Sequence, residues 1–393
     1  MTTLYLIRHG EAEGNLYRLM IGRTDCDLTD LGRKQADRLG QRFQSIRLDA
    51  VYSSPLHRAL QTAAPLCLSH RLPLYTDPRL TEIDVGPWEG LPFGTAAVRN
   101  PEEMQLFQHD PDVWRLPGAD TIRSLAERGL AALNDICRAH PDQTVAVCFH
   151  SYLINAIMCR LFYGFDRFTD TGLSYNTAVT QLFRQDDGSW RIGYTNDYSH
   201  LESAGEELIR KGPVLQDGSR PDLHFEPFGS DIDRYIRYRG DAWKLIYGST
   251  KDFNGPAFWL DAQRTIGSDP MAMIHGTLRG TPVGMLQLSP DRDAGKGIGY
   301  IPFIYLREPF RGKGLGIQFI GQAVTFYRQL GRSRLQLSVA HTNAHALAFY
   351  QKYGFYEAGK TPGIYGKLIL MEKKIAFSPL PKKLRILPAG HCN

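Results

Sequence analysis

The run Leu4-Tyr5-Leu6-Ile7-Arg8-His9-Gly10 is a short apolar segment that ends on two basic side chains and a glycine. Four apolar residues bounded by a turn signal read as a buried strand, with the basic pair at its carboxyl end. The same grammar recurs twice: Asp49–Tyr52 leads into Ser53-Ser54-Pro55, and Thr144–Phe149 (TVAVCF) leads into His150. Between these strands, apolar residues fall at helical steps: Ala36, Leu39, Phe43 and Ile46; Leu56, Leu60, Ala63 and Cys67; Ile122, Leu125, Gly129, Leu133 and Ile136. Ser54 before Pro55 reads as an N-cap followed by the first helical residue, which puts Arg58 in the first turn. Strand–helix alternation predicts an α/β fold, a doubly wound, mostly parallel sheet with helices on both faces. Thr177–Arg184 and Trp190–Asn196, around Asp186-Asp187-Gly188, predict a closing hairpin.

The chain has 393 residues, enough for two or three domains with full-sized cores. A hydrophobic share of 42% with 22% charged residues is that of a globular protein. The longest apolar candidate, Tyr152–Phe165, is interrupted by Asn155 and Arg160, so no membrane span is expected. The net charge of +5 resides in the segment from Lys373 onward, where Lys373, Lys374, Lys382, Lys383 and Arg385 have no acidic counterpart. The rest is neutral, so the charge argues for a solvated basic tail and against a nucleic-acid partner. Six cysteines without a C-x-x-C pair, and an N-terminus without a charged segment before a long apolar run, predict free thiols and a cytoplasmic location.

Ligands of doubly wound sheets gather at the carboxyl ends of strands, where helix N-termini favour anions. Arg8 and Arg58 supply planar forks suited to phosphate oxygens, and His9 and His150 stand at the ends of two strands. The stretches LIRHGEAEGN, YSSPLHRALQTA, LTEIDVGPWEG and CFHS resemble the histidine phosphatase superfamily, which includes the cofactor-dependent phosphoglycerate mutases. The resemblance covers roughly residues 1–200. It implies that His9 is the nucleophile, that Arg8, Asn15, Arg58 and His150 hold the transferring phosphoryl group, and that Glu82 is the general acid. Such an acid must be partly protonated, and Asp84, two residues on, is a source of like-charge repulsion. Two departures stand out: Ser151 follows the second histidine where glycine is frequent, and only 68 positions separate Glu82 from His150. That short spacing resembles the phosphatase branch more than the mutases. Trp88, Phe93, Phe107, His109 and Trp114, within residues 88–120, are read either as a platform for a ring or as the packing of a small lid.

Residues 201–221 are polar and read as a linker. Beyond them an α+β pattern of mostly antiparallel strands is expected over 222–375, with a basic tail at 376–393. Its strands are Leu223–Glu226, Ala272–Leu278, Val283–Leu288, Gly299–Leu306, Leu335–Val339 and a pair near Ile364–Lys374; its helices are Asp231–Tyr247, one through Ile317, Ile320, Val324 and Tyr327, and Ala344–Tyr353. Arg311-Gly312-Lys313-Gly314-Leu315-Gly316 lies between a strand and a helix, a place where glycine backbone approaches a pyrophosphate. With Asn343-Ala344-His345-Ala346 and Phe349-Tyr350…Gly354-Phe355, it resembles the GNAT-type N-acetyltransferases. That resemblance implies acetyl-CoA as co-substrate, with residues 311–316 and Asn343 against it, the strand at Tyr305 and Leu306 beside its pantetheine arm, and Tyr350 as the acid for the departing thiolate. Residues 299–306 hold no acidic side chain, which leaves Glu308, His341 or a water chain as the base. His341 and His345 lack a third ligand, so no metal is expected.

The expectation is a bifunctional enzyme joining phosphomonoester hydrolysis to acetylation of a small amine. The alternatives are a phosphatase with an acetyl-CoA-sensing domain and a mutase-like phosphotransferase. The phosphate ester, the acceptor and the oligomeric state are not legible in the sequence.

Overall fold

A computed structural model describes residues 1–170, 174–202, 208–210, 212–215, 218–363 and 366–390. Contacts divide the chain into two compact units. The first comprises 1–91, 99–211 and 378–393; the second comprises 92–98 and 212–377.

In the first unit, β1 (Thr2–Arg8), β2 (Ala50–Ser53), β3 (Leu74–Thr76) and β4 (Thr144–Phe149) run parallel in the order β3-β2-β4-β1. The hairpin of β5 (Val179–Arg184) and β6 (Trp190–Asp197) extends the sheet antiparallel beyond β1. Helices α1 (Glu13–Tyr17), α2 (Asp30–Phe43) and α3 (His57–His70) fill the first connections. After α4 (Phe93–Arg99) come α5 (Pro101–His109), α6 (Ile122–Ala139) and α7 (Ser151–Met158). Side chains of parallel strands alternate between two covered faces. Tyr5, Ile7, Val51, Ala146 and Cys148 pack with Leu39, Phe43, Leu60 and Leu66 of α2 and α3. Their alternates Leu4, Leu6, Val145 and Val147 are also fully buried. α7 packs on β1 and on α6, as a sheet covered on both faces requires.

In the second unit, β7 (His224–Pro227), α8 (Ile232–Tyr247) and α9 (Gly255–Ser268) precede the β8 (Met273–Leu278) and β9 (Thr281–Ser289) hairpin. Then follow β10 (Ile298–Leu306), α10 (Gly316–Gln329), β11 (Arg334–Ala340), α11 (Ala344–Lys352), β12 (Tyr356–Gly363) and β13 (Gly366–Lys374). The sheet order is β12-β13-β11-β10-β9-β8-β7, and only β10 and β11 are parallel neighbours. The last hairpin begins earlier than its sequence suggests, at Tyr356, and the expected strand residues Ile364 and Tyr365 lie outside the described residues.

The division departs from the expected boundaries in two places. Residues 92–98 group with the second unit, where Thr95 Oγ1 accepts from the Phe225 amide at 3.0 Å. The basic segment is not a solvated tail either: it returns to the first unit and forms β14 (Ile386–Pro388), parallel to β3. Leu380 and Leu384 pack against the first core, and apolar anchors among the lysines explain the ordered return. Residues 203–207, 211, 216 and 217 of the expected linker, and Cys392, lie outside the described residues. Cys26, Cys67, Cys137, Cys148 and Cys159 are buried free thiols. Among the described residues, no helix is long and apolar enough to cross a membrane.

Candidate active sites

His9 follows β1 directly and is held there by backbone: its amide donates to Phe149 O at 2.9 Å, and its carbonyl accepts from Asn176 Nδ2 at 3.1 Å. Its Nδ1 lies 2.7 Å from the Gly10 carbonyl. A carbonyl only accepts, so Nδ1 carries the proton and Nε2 keeps its lone pair. Burial, then the charges of Arg58 and Arg8, hold the ring well below the ordinary histidine pKa. His150 is the residue before α7, its ring centroid 5.3 Å from that of His9. Burial, Arg58 and His9 lower its pKa in the same way. Its Nε2 lies 2.8 Å from Ser54 Oγ, and its buried Nδ1 has no partner among the described residues.

Arg58 is 1% exposed and is aimed by two carbonyls, Gly22 O at 2.7 Å and Thr24 O at 3.0 Å. Those carbonyls are fixed in turn by Glu89, whose carboxylate accepts from the Arg23 and Thr24 amides at 2.8 and 2.9 Å. Gly22 has no room for a side chain: a Cβ there would fall 2.0 Å from Ile83 O. Arg8 Nη1 donates to the Ser174 carbonyl. Asn15 Oδ1 accepts from the Ala12 amide at 3.0 Å, which leaves the amide NH2 as the outward donor.

Glu82 lies on the loop after β3 and is buried. The first turn of α7 holds its carboxylate through the Tyr152 and Leu153 amides at 3.2 Å, and the Ile83 amide adds a bond at 3.0 Å. Burial nonetheless raises its pKa, outweighing those donors and the charges of Arg58 and Arg8. Asp84 is not among the causes; it pairs with Arg23 at 3.4 Å and caps the Gly86 amide at 2.9 Å. The departure at Ser151-Tyr152 is tolerated because Glu82 uses the backbone there, while the Tyr152 ring stacks on Phe107 at 4.9 Å. Of the two readings of residues 88–120, packing prevails. Trp88, Phe107 and Trp114 are buried against one another at 5.0–5.6 Å, and His109 is exposed.

Sequence reasoning missed three supports. Ser54 was expected to cap α3, but that helix starts at His57, after Leu56, and the hydroxyl faces His150 instead. Arg128 donates to Arg79 O, Thr81 O and Glu82 O at 2.5–2.8 Å, holding the loop that carries Glu82. Glu89 lies inside the LTEIDVGPWEG stretch, whose sequence gives no sign that it braces the Arg23–Thr24 backbone.

In the second unit, β10 pairs with β11 only over Ile298–Ile301. Pro302 has no N–H to continue the ladder, and the two strands part. Beyond it β10 keeps its β9 neighbour through Leu306, so its other edge is open over 302–306. Arg311 Nε donates back to the Leu306 carbonyl at 2.9 Å. Gly312 and Gly314 adopt φ of 73° and 70°, which favours glycine, and Leu315 enters α10 without a side-chain cap. Lys313 is exposed. An open strand edge, a left-handed glycine loop and uncapped amides form a cradle that fits a pantetheine arm and its pyrophosphate. Asn343 caps α11 through a 3.1 Å bond from the Ala346 amide. Tyr350 is buried between Phe349 and Phe355, and burial pushes its hydroxyl pKa up.

Glu308, His341 and His345 are exposed. A carboxylate from α8 stands beside this strand: Asp241 Oδ2 accepts from the Tyr305 hydroxyl at 3.0 Å. Burial and that bond push Tyr305 up to about 12. Among the described residues, no group of three or more His, Cys, Asp or Glu side chains is placed to hold a metal.

Residues 4–198 match the family model of the histidine phosphatase superfamily (branch 1), and 241–355 that of the acetyltransferase (GNAT) family. Phosphoserine phosphatase 1 of Hydrogenobacter thermophilus is 32% identical over 41% of this chain and 76% of its own length. Phosphoglycerate mutase-like protein 4 of Arabidopsis thaliana is 31% identical over 51% of this chain and 88% of its own. The solved structure of Bacillus stearothermophilus YhfR superposes with a TM-score of 0.50 at 32% identity, covering 51% of this chain and all of that one.

Proposed function

Because the chain belongs to branch 1 of the histidine phosphatase superfamily and fuses that domain to a GNAT-family domain, we propose a bifunctional enzyme that hydrolyses a small phosphomonoester and acetylates a small amine. The observation that carries the first activity is the His9 tautomer, with Nδ1 committed to Gly10 O and Nε2 left unprotonated by burial and the charges of Arg58 and Arg8.

The Nε2 lone pair attacks phosphorus as the P–O bond to the leaving alkoxide breaks, and Glu82 gives that oxygen its proton. Arg8, Arg58 and the Asn15 amide neutralise the equatorial oxygens. His150 joins them through Nδ1–H when Nε2 accepts the Ser54 hydroxyl. Water then attacks the phosphohistidine, giving its proton to the Glu82 carboxylate, and phosphate leaves with His9 restored. The short Glu82–His150 connection supports hydrolysis over mutase chemistry. Phosphoserine heads the substrate panel, on the strength of the relative's name.

In the second domain, residues 311–316, Asn343 and the open edge of β10 are assigned to acetyl-CoA, which brings the thioester. The amine nitrogen bonds to the carbonyl carbon and the C–S bond breaks. Asp241, through Tyr305, takes the amine proton, and Tyr350 supplies one to the thiolate.

Phosphate release from an aryl phosphate by the intact chain beside His9→Ala tests the first activity. The expected result is loss of turnover in the variant, together with an acid-labile phosphoenzyme in the native chain only. Equal turnover by both proteins would overturn it. Acetyl-CoA-dependent release of free thiol across an amine panel tests the second.

A further inference from the structure

The second unit contains a cation without an ion pair. Arg239, on α8, donates from Nε to the Tyr235 hydroxyl at 3.0 Å and from Nη2 to Gln287 Oε1 at 2.8 Å. Its guanidinium carbon lies 3.9 Å from the ring centroid of Phe303 and 4.9 Å from that of Phe258. Among the described residues no carboxylate comes within ion-pair distance, and Nη1 has no partner. Asp261 acts only at longer range, and burial pulls the guanidinium below its usual pKa.

Gln287 is 1% exposed and has the complementary deficit. Its Oε1 accepts from Arg239 and lies 3.1 Å from the Tyr235 hydroxyl, which fixes the amide's orientation. Its Nε2 is left as a buried donor without an acceptor. Two strong donors, one charged, thus meet in an aromatic enclosure that offers no anion of its own. A buried donor is nearly always satisfied, so the Gln287 amide, set beside the half-buried Arg239 guanidinium, points to an acceptor from outside the chain.

The location identifies that acceptor. Gln287 stands opposite Phe303 in the β9–β10 register, on the stretch of β10 whose other edge is open. Phe303 and Tyr305 share a face of β10, their rings stacked with centroids 6.2 Å apart. At the Tyr305 end is the Asp241 carboxylate; at the Phe303 end are Arg239 and Gln287. A proton acceptor and an anion anchor at opposite ends of this ring pair match an amine and a carboxylate within one compact molecule.

We infer that Arg239 and Gln287 anchor a carboxylate of the acetyl acceptor, so that the amine substrate is a small aminocarboxylate. The inference rests on the acetyltransferase reading above, and its test separates the two.

With the full chain and acetyl-CoA, thiol release is measured for glycine, L-serine, β-alanine and L-phenylalanine, each beside its primary amide. In parallel, binding of N-acetylglycine and N-acetylglycinamide is followed by ligand-observed NMR, which needs no turnover. The acids are expected to exceed their amides by about tenfold or more in kcat/KM, the scale of a charge-assisted bond. N-acetylglycine binds and its amide does not. Gln287→Glu, which sets a carboxylate of similar size against Arg239, brings both preferences to within about twofold while leaving the thermal shift by acetyl-CoA unchanged. Arg239→Lys keeps the charge but loses the fork, and falls between.

Acids and amides used equally, or a preference that survives Gln287→Glu, would overturn the anchor. If acetyl-CoA binds but no amine is acetylated, the acetyltransferase reading fails and the NMR arm decides: binding of N-acetylglycine lost in Gln287→Glu supports the anchor, and no binding by either protein refutes it.

Discussion

Glu82 and His9 are shifted in opposite directions by the same cause, burial, and the pH dependence of phosphate release follows from that. In the proposed reaction His9 attacks as the neutral ring, so its lowered pKa is expected to move the acid limb below the 6.5 of a free histidine. In the same reaction Glu82 serves the leaving group in its protonated form, so turnover is expected to fall as pH rises through its raised pKa. Glu82→Gln is expected to remove that alkaline limb and cost about 10²- to 10⁴-fold with an alkyl phosphate. With p-nitrophenyl phosphate, whose leaving group needs no proton, the loss is far smaller. Equal losses with both esters would remove Glu82 from the acid's role. Arg8, His9, Arg58 and His150, the residues proposed to meet the phosphoryl group, were legible because their motifs sit at strand ends. Ser54 and Arg128 were not, since each acts on a group dozens of residues away, reached only through the fold. Even the local rule misled at Ser54, whose place before Pro55 suited a cap although the helix starts two residues beyond that proline.

At the scale of elements, the loop carrying Gly22 to Thr24 is a bracket for Arg58, set on one side by Glu89 and on the other by the Ile83 backbone. Gly22→Ala forces that bracket apart. The expected outcome is a tenfold or greater rise in KM for phosphate esters, with the thermal midpoint changed by only a few degrees. An unchanged KM would show that Arg58 needs no such support. Strands β1, β2 and β4 were readable from short, largely buried apolar runs, and α2, α3 and α6 from their apolar period. Several elements escaped, β3 and α9 among them. β3 has three residues, too few for a pattern, and α9 begins at Gly255-Pro256 and carries Gly267, with its apolar side chains spread among aromatics. Its anchoring comes from Trp259 and Ala262 in the cluster with Tyr235 and Met273, information that is tertiary.

For the whole molecule, the unexpected feature is the return of the chain to its first unit. Ser378 donates its amide to Asp27 at 2.7 Å, and Asp27 holds the His57 ring at 2.6 Å, one residue before Arg58. Burial favours a neutral Asp27, but the bonds from His57 and Ser378 outweigh it and keep its pKa low. Deleting residues 378–393 is expected to lower the phosphatase unit's thermal midpoint by roughly 5–10 °C and to reduce phosphate release with it. An unaltered midpoint would make the segment an appendage. The basic composition hid this role, because the few apolar residues that anchor the segment are spaced among lysines and prolines.

Completion of the first sheet also has an order in time. As the chain leaves the ribosome, residues 1–211 emerge with the outer edge of β3 bare, and the strand that covers it is made only after the 212–377 unit. A bare edge is a template for other chains, so the nascent phosphatase passes through an interval of exposure set by the translation of its neighbour. Were that neighbour unfolded, β14 would have to close a loop of about 166 residues, at an entropic cost on the order of 4–5 kcal/mol. Folding of the second unit thereby lowers the cost of sealing the sheet of the first.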